Sequence, residues 1–327
     1  MTDARKIPKP LVWLFTALAG TVVSTVALAQ QRNPADWLEL MASAVATTSY
    51  QGTVIRRKRG DSEALKVVHK IVDGVVNERV TSQEGNGLEI IRIGDDVHCI
   101  LPDKKSVLVE GWNNQSTLFS PLPRKEAVGT PQYDLSVMRE GRIAGRRAVL
   151  LAVRPHDEFR YAHRIWLDQA SGFPLQTEVL NYDGELIEEV KFADISFSDD
   201  ITEDAFDPTI NLEGFTWYKE PSRQVQSVAL ETDWDAADLP VGFRAISTRT
   251  EHLPDSTAPD TTHIVYSDGV ADISVFVESS RGDEKTGWSI LGATNSYSVA
   301  IDGFQVTAVG EVPGITVQRI ASSMRRR

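Results

Sequence analysis

Apolar and polar residues alternate with period two along most of this chain, the pattern of half-buried β-strands. It is cleanest from Phe159 to Leu167. There Phe159, Tyr161, Ile165 and Leu167 fall on one face, and Arg160 and Arg164 on the other. Asp168 to Gly172 is a loop of hairpin length, Phe173 to Leu180 returns, and Leu186 to Phe197 follows a turn at Tyr182–Glu185. Upstream, extended runs cover Tyr50–Arg56, Ala64–Val72, Val75–Thr81, Leu88–Ile93, Val97–Leu101 and Ser106–Glu110. Turn signals at Asp73-Gly74, Gly94-Asp95-Asp96 and Pro102–Lys105 separate several of them, so the region reads as an antiparallel meander. A long, highly twisted sheet or part-barrel fits that spacing.

Helical patterns are few. Asp36 to Val45 has an apolar stripe of Trp37, Leu38, Leu40 and Met41, with Asn33 as cap and Pro34 in the first turn. Ile201 to Phe206 is a short helix that closes the unit, and Pro208 to Pro221 reads as a linker. A second unit then opens with Trp234 and Leu239–Phe243. Thr262–Tyr266, Ile273–Val277, Ser296–Ile301 and Phe304–Val309 read as its strands, with turns at Ser267-Asp268-Gly269 and Asp302-Gly303. Thr316–Ala321 is helical, giving an α+β domain of about 100 residues, a common domain size.

The first residues follow another logic. Arg5, Lys6 and Lys9 precede an uncharged stretch from Leu11 to Val23, and Ala27-Leu28-Ala29 follows. That order is a secretory signal peptide, with cleavage expected after Ala29. Gly20, Thr21, Ser24 and Thr25 thin the apolar stretch below the roughly 20 apolar residues of a membrane span. The expected organisation is 1–29 signal peptide, 30–207 large domain, 208–222 linker and 223–327 second domain.

Composition narrows the function. Asp and Glu number 46 against 34 Lys and Arg, for a net charge of −12. Such a protein avoids nucleic acid and bare anionic membrane unless it builds a local basic patch. The basic clusters are Arg56–Arg59, Arg142 with Arg146-Arg147, and the tail Arg325–Arg327, read as a solvated end. The one cysteine, Cys99, shares a strand face with Val97 and Leu101 and is expected to be a buried, inert thiol. With no partner for it, stability must come from buried area.

Signatures of catalysis are thin. The six histidines form no H-E-x-x-H or other close ligand spacing, and no Gly-rich phosphate loop follows a strand. Gly287–Gly292 is one residue out of frame for a nucleophile elbow. Asp199, Asp200, Glu203, Asp204 and Asp207 lack the spacing of a calcium loop and suit a helix start. His163, on an apolar face, reads as a hydrogen-bonded structural residue. No enzyme activity, cofactor or metal is expected.

Binding remains. A curved sheet with an apolar face can hold an acyl chain, which gains about 0.8 kcal/mol per buried methylene. The same alternation serves an ordinary core, and both readings stay open. The candidate lipid contacts are Phe159, Tyr161, Ile165 and Leu167. In the second unit the candidate partner contacts are Tyr266, beside Ser267 and Asp268, and Phe276 among valines, because aromatic anchors often dominate binding energy.

Longer stretches carry a resemblance. They are His69–Val80 (HKIVDGVVNERV), Ile93–Lys105 (IGDDVHCILPDKK), Arg142–Arg147 (RIAGRR) and Arg154–Tyr161 (RPHDEFRY). In the second unit they are Leu239–Phe243 (LPVGF), Val265–Gly269 (VYSDG), Ser274–Glu278 (SVFVE) and Val309–Pro313 (VGEVP). Together they resemble the MucB/RseB family of sigma-E regulatory proteins, in order along nearly the whole chain after Ala29. The resemblance implies a mainly β protein with some α. Its large domain would be an unclosed, lipoprotein-carrier-like antiparallel barrel with helices in its mouth, its second a smaller α+β domain. It also implies a periplasmic location and a grip on the periplasmic part of a membrane-spanning anti-sigma factor of the MucA/RseA type, which is shielded from site-one proteolysis. Lipid A or lipopolysaccharide would loosen that grip. Association with a second copy stays open, as does the rival reading of a plain lipid or lipoprotein carrier.

Overall fold

Tight turns set the register of the first sheet. Asp73 and Gly74 both take positive φ, 52° and 80°, the conformation that turns a strand back on itself within two residues. They join β2 (Asp61–Val72) to β3 (Val75–Ser82). A computed structural model describes residues 32–327, apart from 86, 112–117, 119–121, 125–128, 220–223, 230–231, 253–259, 281 and 283–285. The expected signal peptide, and two residues of Arg281-Gly282-Asp283, lie outside the described residues.

The meander continues through β4 (Glu89–Ile93), β5 (Asp96–Leu101) and β6 (Ser106–Gly111). β7 (Tyr133–Ile143), β8 (Arg146–Pro155), β9 (Ala162–Asp168), β10 (Pro174–Leu180) and β11 (Leu186–Phe197) form a second run. β1 (Tyr50–Lys58) lies between β2 and β11 and welds the two runs together. With β12 (Thr216–Lys219) beside β6, the sheet has twelve strands and stays unclosed, β12 and β7 being its edges. It curls enough for β7 to touch β11, with three strands between them in the sheet order.

The expected helix is α1 (Pro34–Thr47). Asn33 accepts from the Asp36 backbone, and the Asp36 carboxylate accepts from the Asn33 backbone. α1 lays Trp37, Leu38 and Met41 on Val149, Leu151, Ile165 and Leu167. A neighbouring cluster gathers Tyr50, Val54, Val67, Phe173 and Phe192, with Trp166 and Ile143 from the curled end.

Residues 201–219 form a strap rather than a free linker. Ile201 and Phe206 cover Val68, and Ile210, Leu212 and Phe215 cover Ile91, Ile100 and Val107. Thr209 donates its backbone N–H to Glu89 at 3.0 Å. The strap ends in β12, which pairs with β6 in parallel, so part of the expected linker 208–222 is sheet edge. Cys99, expected to be buried, is half-buried on β5.

The second sheet has seven strands in the order β13 (Gln224–Ala229), β15 (Arg244–His252), β16 (Thr261–Ser267), β17 (Asp272–Ser279), β20 (Phe304–Gly310), β19 (Thr294–Ile301), β18 (Gly287–Leu291). α2 (Gly314–Ser323) packs Val317, Ile320 and Ala321 onto Ile273, Val275, Val306 and Ala308. The tail is not a solvated end. β21 (Met324–Arg326) pairs with β14 (Trp234–Ala236), and Arg326 and Arg327 reach Asp233 and Asp235. Residues 32–327 form one compact unit.

Candidate functional site

The four lipid candidates do not line one open face. Ile165 and Leu167 are buried under α1. The void beside Ile165, lined also by Leu122, His163, Thr177, Val179 and Val190, measures about 20 Å³, room for one water and not for an acyl chain. Leu118 and Leu122, from the connection between β6 and β7, help fill the space. Of the two readings left open, the ordinary core describes this face. Burial also sets the state of His163 there, lowering its pKa to about 4 against a weak pull from Asp268.

Phe159 and Tyr161 lie ahead of β9, not in it. Asp157 is the reason. Its carboxylate accepts the Phe159 backbone N–H at 3.1 Å and pairs with Arg160 at 2.5 Å, so the chain turns here instead of extending. The turn delivers residues 157–161 to the second sheet.

That delivery creates a polar buried site between the two sheets. Arg160 is 0% exposed and meets Asp268, 1% exposed, with Nε at 2.6 Å. Arg160 also donates to the Val241 carbonyl, and its guanidinium lies over Phe243 (4.8 Å) and Tyr133 (5.7 Å). Tyr133 donates its hydroxyl to Asp268 at 2.7 Å. The other Asp268 oxygen accepts backbone N–H groups from Val270 and Ala271, both at 2.9 Å. Burial, then the Asp268 charge, pushes the Tyr133 pKa upward. Burial opposes ionisation of Arg160, but Asp268 raises its pKa overall. The group is therefore fixed in its charged, fully bonded form.

Two further contacts join the sheets. The β18–β19 turn presses Gly292 and Ala293 against β1 and β11. Ala293 donates to Glu188 at 3.2 Å and Arg59 to the Gly292 carbonyl at 3.1 Å. Gly292 takes a φ of 60°, in the left-handed region that favours glycine, and a Cβ there would stand 2.6 Å from a Glu188 oxygen, which would have to move aside. Nearby, Asn295 donates to the Tyr161 hydroxyl at 2.9 Å and to the Val312 carbonyl at 2.7 Å. From α2, Thr316 donates to the Phe159 carbonyl at 2.7 Å, and Arg319 lies 4.7 Å over the Phe159 ring.

Three of the four expected partner contacts are buried. Tyr266 belongs to the second core, where burial pushes its pKa up to about 12. Ser267 and Asp268 are buried at the junction. A strand end that turns into a neighbouring sheet hides its polar groups instead of offering them to solvent. Phe276 is half-buried and stacks on His263 at 4.2 Å. The sequence reading missed Tyr133, Asp157, Arg160, Gly292 and Asn295. The Asp-Gly turn at 268–269 was the available signal, but not its partner 108 residues away.

Chemically the junction can hold two sheets together and can be pulled apart. It presents no nucleophile beside a base, and no three His, Cys, Asp or Glu side chains among the described residues are grouped to hold a metal.

Comparison with known proteins places this architecture. The family model described as MucB/RseB N-terminal domain matches residues 33–210, and that described as MucB/RseB C-terminal domain matches residues 228–325. The sigma factor AlgU regulatory protein MucB of Pseudomonas aeruginosa is 32% identical over 320 residues, 94% of this chain and 95% of the relative. The sigma-E factor regulatory protein RseB of Escherichia coli K12 is 24% identical over 316 residues, 95% of this chain and 94% of the relative. A crystal structure of MucB in complex with MucA(peri) is 29% identical, with a TM-score of 0.64, covering 90% of this chain and 99% of that one. A Pseudomonas aeruginosa MucA/MucB complex gives the same TM-score at 28% identity, with coverage of 90% and 99%.

Proposed function

The chain belongs to the MucB/RseB family, and from that premise we propose that it is a non-enzymatic, periplasmic negative regulator of a sigma-E-type envelope stress response. In this reading it grips the periplasmic segment of a membrane-spanning anti-sigma factor and shields it from site-one proteolysis. A lipid A- or lipopolysaccharide-type ligand then loosens the grip. The observation that carries the reading is the likeness, over 90% of this chain, to a MucB solved in complex with MucA(peri).

Two features support a coupled mechanism over a plain carrier. The apolar face under α1 is filled, so an acyl chain must first displace α1 or the leucines beside it. The strand that α1 covers, β9, is the one that leads from the 157–161 turn and Arg160. One element then feels both ligands, as reciprocal coupling requires. A tenfold change in partner affinity takes about 1.4 kcal/mol, well within the reach of a junction of this kind. We assign sensing to 30–207 and gripping to 223–327.

The test uses the chain from residue 30 onward and the periplasmic segment of the anti-sigma factor encoded in the same genome. The expected outcome is binding by calorimetry, slower cleavage of that segment by a site-one protease, and loss of both effects on adding short-chain lipid A. Absence of binding at high micromolar concentration would overturn the regulator. Binding that lipid leaves unchanged would overturn the switch alone.

A further inference from the structure

The strap covers only part of the outer face of the first sheet. Ile201 and Phe206 lie on Val68, and alternation puts Lys70 and Val72 on the same face of β2. The register then sets Val72 opposite Val75, Lys70 opposite Asn77, and Asn77 opposite Ile93. The apolar stripe thus runs on past the strap as Val72, Val75 and Ile93, which are 45%, 48% and 55% exposed. The two turns that carry them are joined. Gly94 donates its backbone N–H to the Val76 carbonyl at 2.9 Å, and the Val75 side chain packs against Gly94.

Carboxylates stand on two sides of this patch. Asp73 lies in the first turn and Asp95 and Asp96 in the second, all exposed. The run into the strap brings up Asp199 and Asp200, also exposed. It is held there by Ser198, which donates to the Ser49 carbonyl at 3.2 Å, while the Ser49 hydroxyl accepts from the Ile71 backbone at 3.3 Å. Among the described residues no cation pairs with any of these acids. The neighbouring cations are spent on backbone carbonyls: Lys70 on Ile201 at 2.5 Å, Arg79 on Asp207 at 2.6 Å, and Arg92 on Gly94 at 2.8 Å.

We propose that this patch docks a cationic, amphipathic segment of a partner protein, with aliphatic side chains on Val72, Val75 and Ile93 and lysines or arginines on Asp95, Asp96 and Asp200. An apolar centre inside a charged rim is the anatomy of a protein interface. The unneutralised rim chooses the occupant, because matched charge steers encounter and like charge rejects it. An anionic bilayer is repelled by these acids, and a second copy docked here about a two-fold axis would bring the same acids back. A divalent cation would satisfy the rim and leave the apolar centre bare. The patch belongs to the first sheet, so it leaves the gripping region of the second free, and the proposal stands independently of the anti-sigma factor.

The experiment titrates the chain from residue 30 onward, by calorimetry, with three synthetic peptides of one length: an amphipathic Lys/Leu peptide, a Lys/Ser peptide of the same charge, and a Glu/Leu peptide. The Lys/Leu peptide should bind about tenfold more tightly than either of the others, and added salt should weaken it. V75S with I93S should reduce it to the level of the Lys/Ser peptide. D95N with D96N should weaken it about fivefold, whereas E140Q with D183N, which removes the same charge from exposed acids elsewhere, should change it less than about twofold. All the substituted side chains are exposed, and an unchanged urea midpoint confirms the fold. No binding of the Lys/Leu peptide at high micromolar concentration would overturn the proposal. So would an equal loss in E140Q/D183N, which would make the attraction a property of the whole chain's charge, or undiminished binding in V75S/I93S. Self-association in sedimentation, or binding to anionic vesicles, that V75S/I93S abolishes would give the patch to a second copy or to a membrane and overturn it as well.

Discussion

The two sheets bury different things. Among the described residues of the second sheet and its helix, Asp268 and His263 are the buried acidic and basic side chains; the other buried polar side chains, such as Thr248, Asn295 and Thr316, are neutral. One cluster around α2 runs from Trp234 through Ile273 and Val306 to Met324. The first sheet divides its apolar residues among several clusters and buries ionisable groups between them, including His69, Glu78, Glu89, Arg92, His163 and Asp168. Glu78 stands 2.8 Å from His69, and Asp168 is tied to Arg146 at 2.9 Å. A single apolar core loses packing all at once when it opens. A divided core with polar seams can open one cluster at a time, because each seam keeps its own hydrogen bonds. The contrast assigns rigidity to the second sheet and responsiveness to the first, with the Arg160–Asp268 group as the joint between them.

Removing the joint should have the largest effect. D268A leaves buried Arg160 with only the partly exposed Asp157 as counter-charge, strips the Tyr133 hydroxyl of its acceptor, and should cost about 3–5 kcal/mol in urea unfolding. Replacing both partners by apolar residues of similar volume should recover most of that loss; failure to recover it would mean that the pair does more than balance charge. Next, I320A in the second core should cost about 2–5 kcal/mol, all of it in one cooperative transition. A split transition would break the contrast drawn above.

Acid should act on the first sheet. The folded pKa of His163, about 4, lies below its ordinary 6.5, so the unfolded chain takes up the proton first. Its contribution is complete above about pH 6.5 and is lost as pH falls toward 4, amounting to up to about 3 kcal/mol. H163L should flatten stability against pH over that window. The smallest effect is expected at the helix that covers the responsive face. N33A removes the capping side chain of α1 and should cost about 1 kcal/mol, seen as faster hydrogen exchange within 34–47 rather than as a lower global melting point.

Much of the first sheet was legible because period-two runs end at Asp-Gly and similar turns, and α1 was legible from Asn33, Pro34 and its stripe. The β7–β8 hairpin was not placed. Ala148 to Val153 is continuously apolar and buried on both faces, so alternation disappears where packing is densest. β12 escaped because its partner β6 lies over a hundred residues earlier, and local pattern carries no trace of such pairing. The same limit governs the junction. Alternation put Arg160 on a polar face and Asp268 in a turn, but neither fact says that the two meet. Family resemblance supplied the architecture that periodicity could not, while the roles of Arg160, Asn295 and Gly292 needed coordinates.

The depth of the Arg160–Asp268 pair also bears on a condition that no ligand sets. In the periplasm proposed for this chain, ionic strength follows the habitat. At 0.15 M salt, charges in water lose sight of one another beyond about 8 Å, and the exposed Arg124–Asp272 contact between the same two sheets should fade accordingly. Ions cannot reach a pair whose side chains are 0% and 1% exposed. The hold between the sheets should therefore be nearly the same in fresh water and in brine, leaving the proposed regulator deaf to salinity.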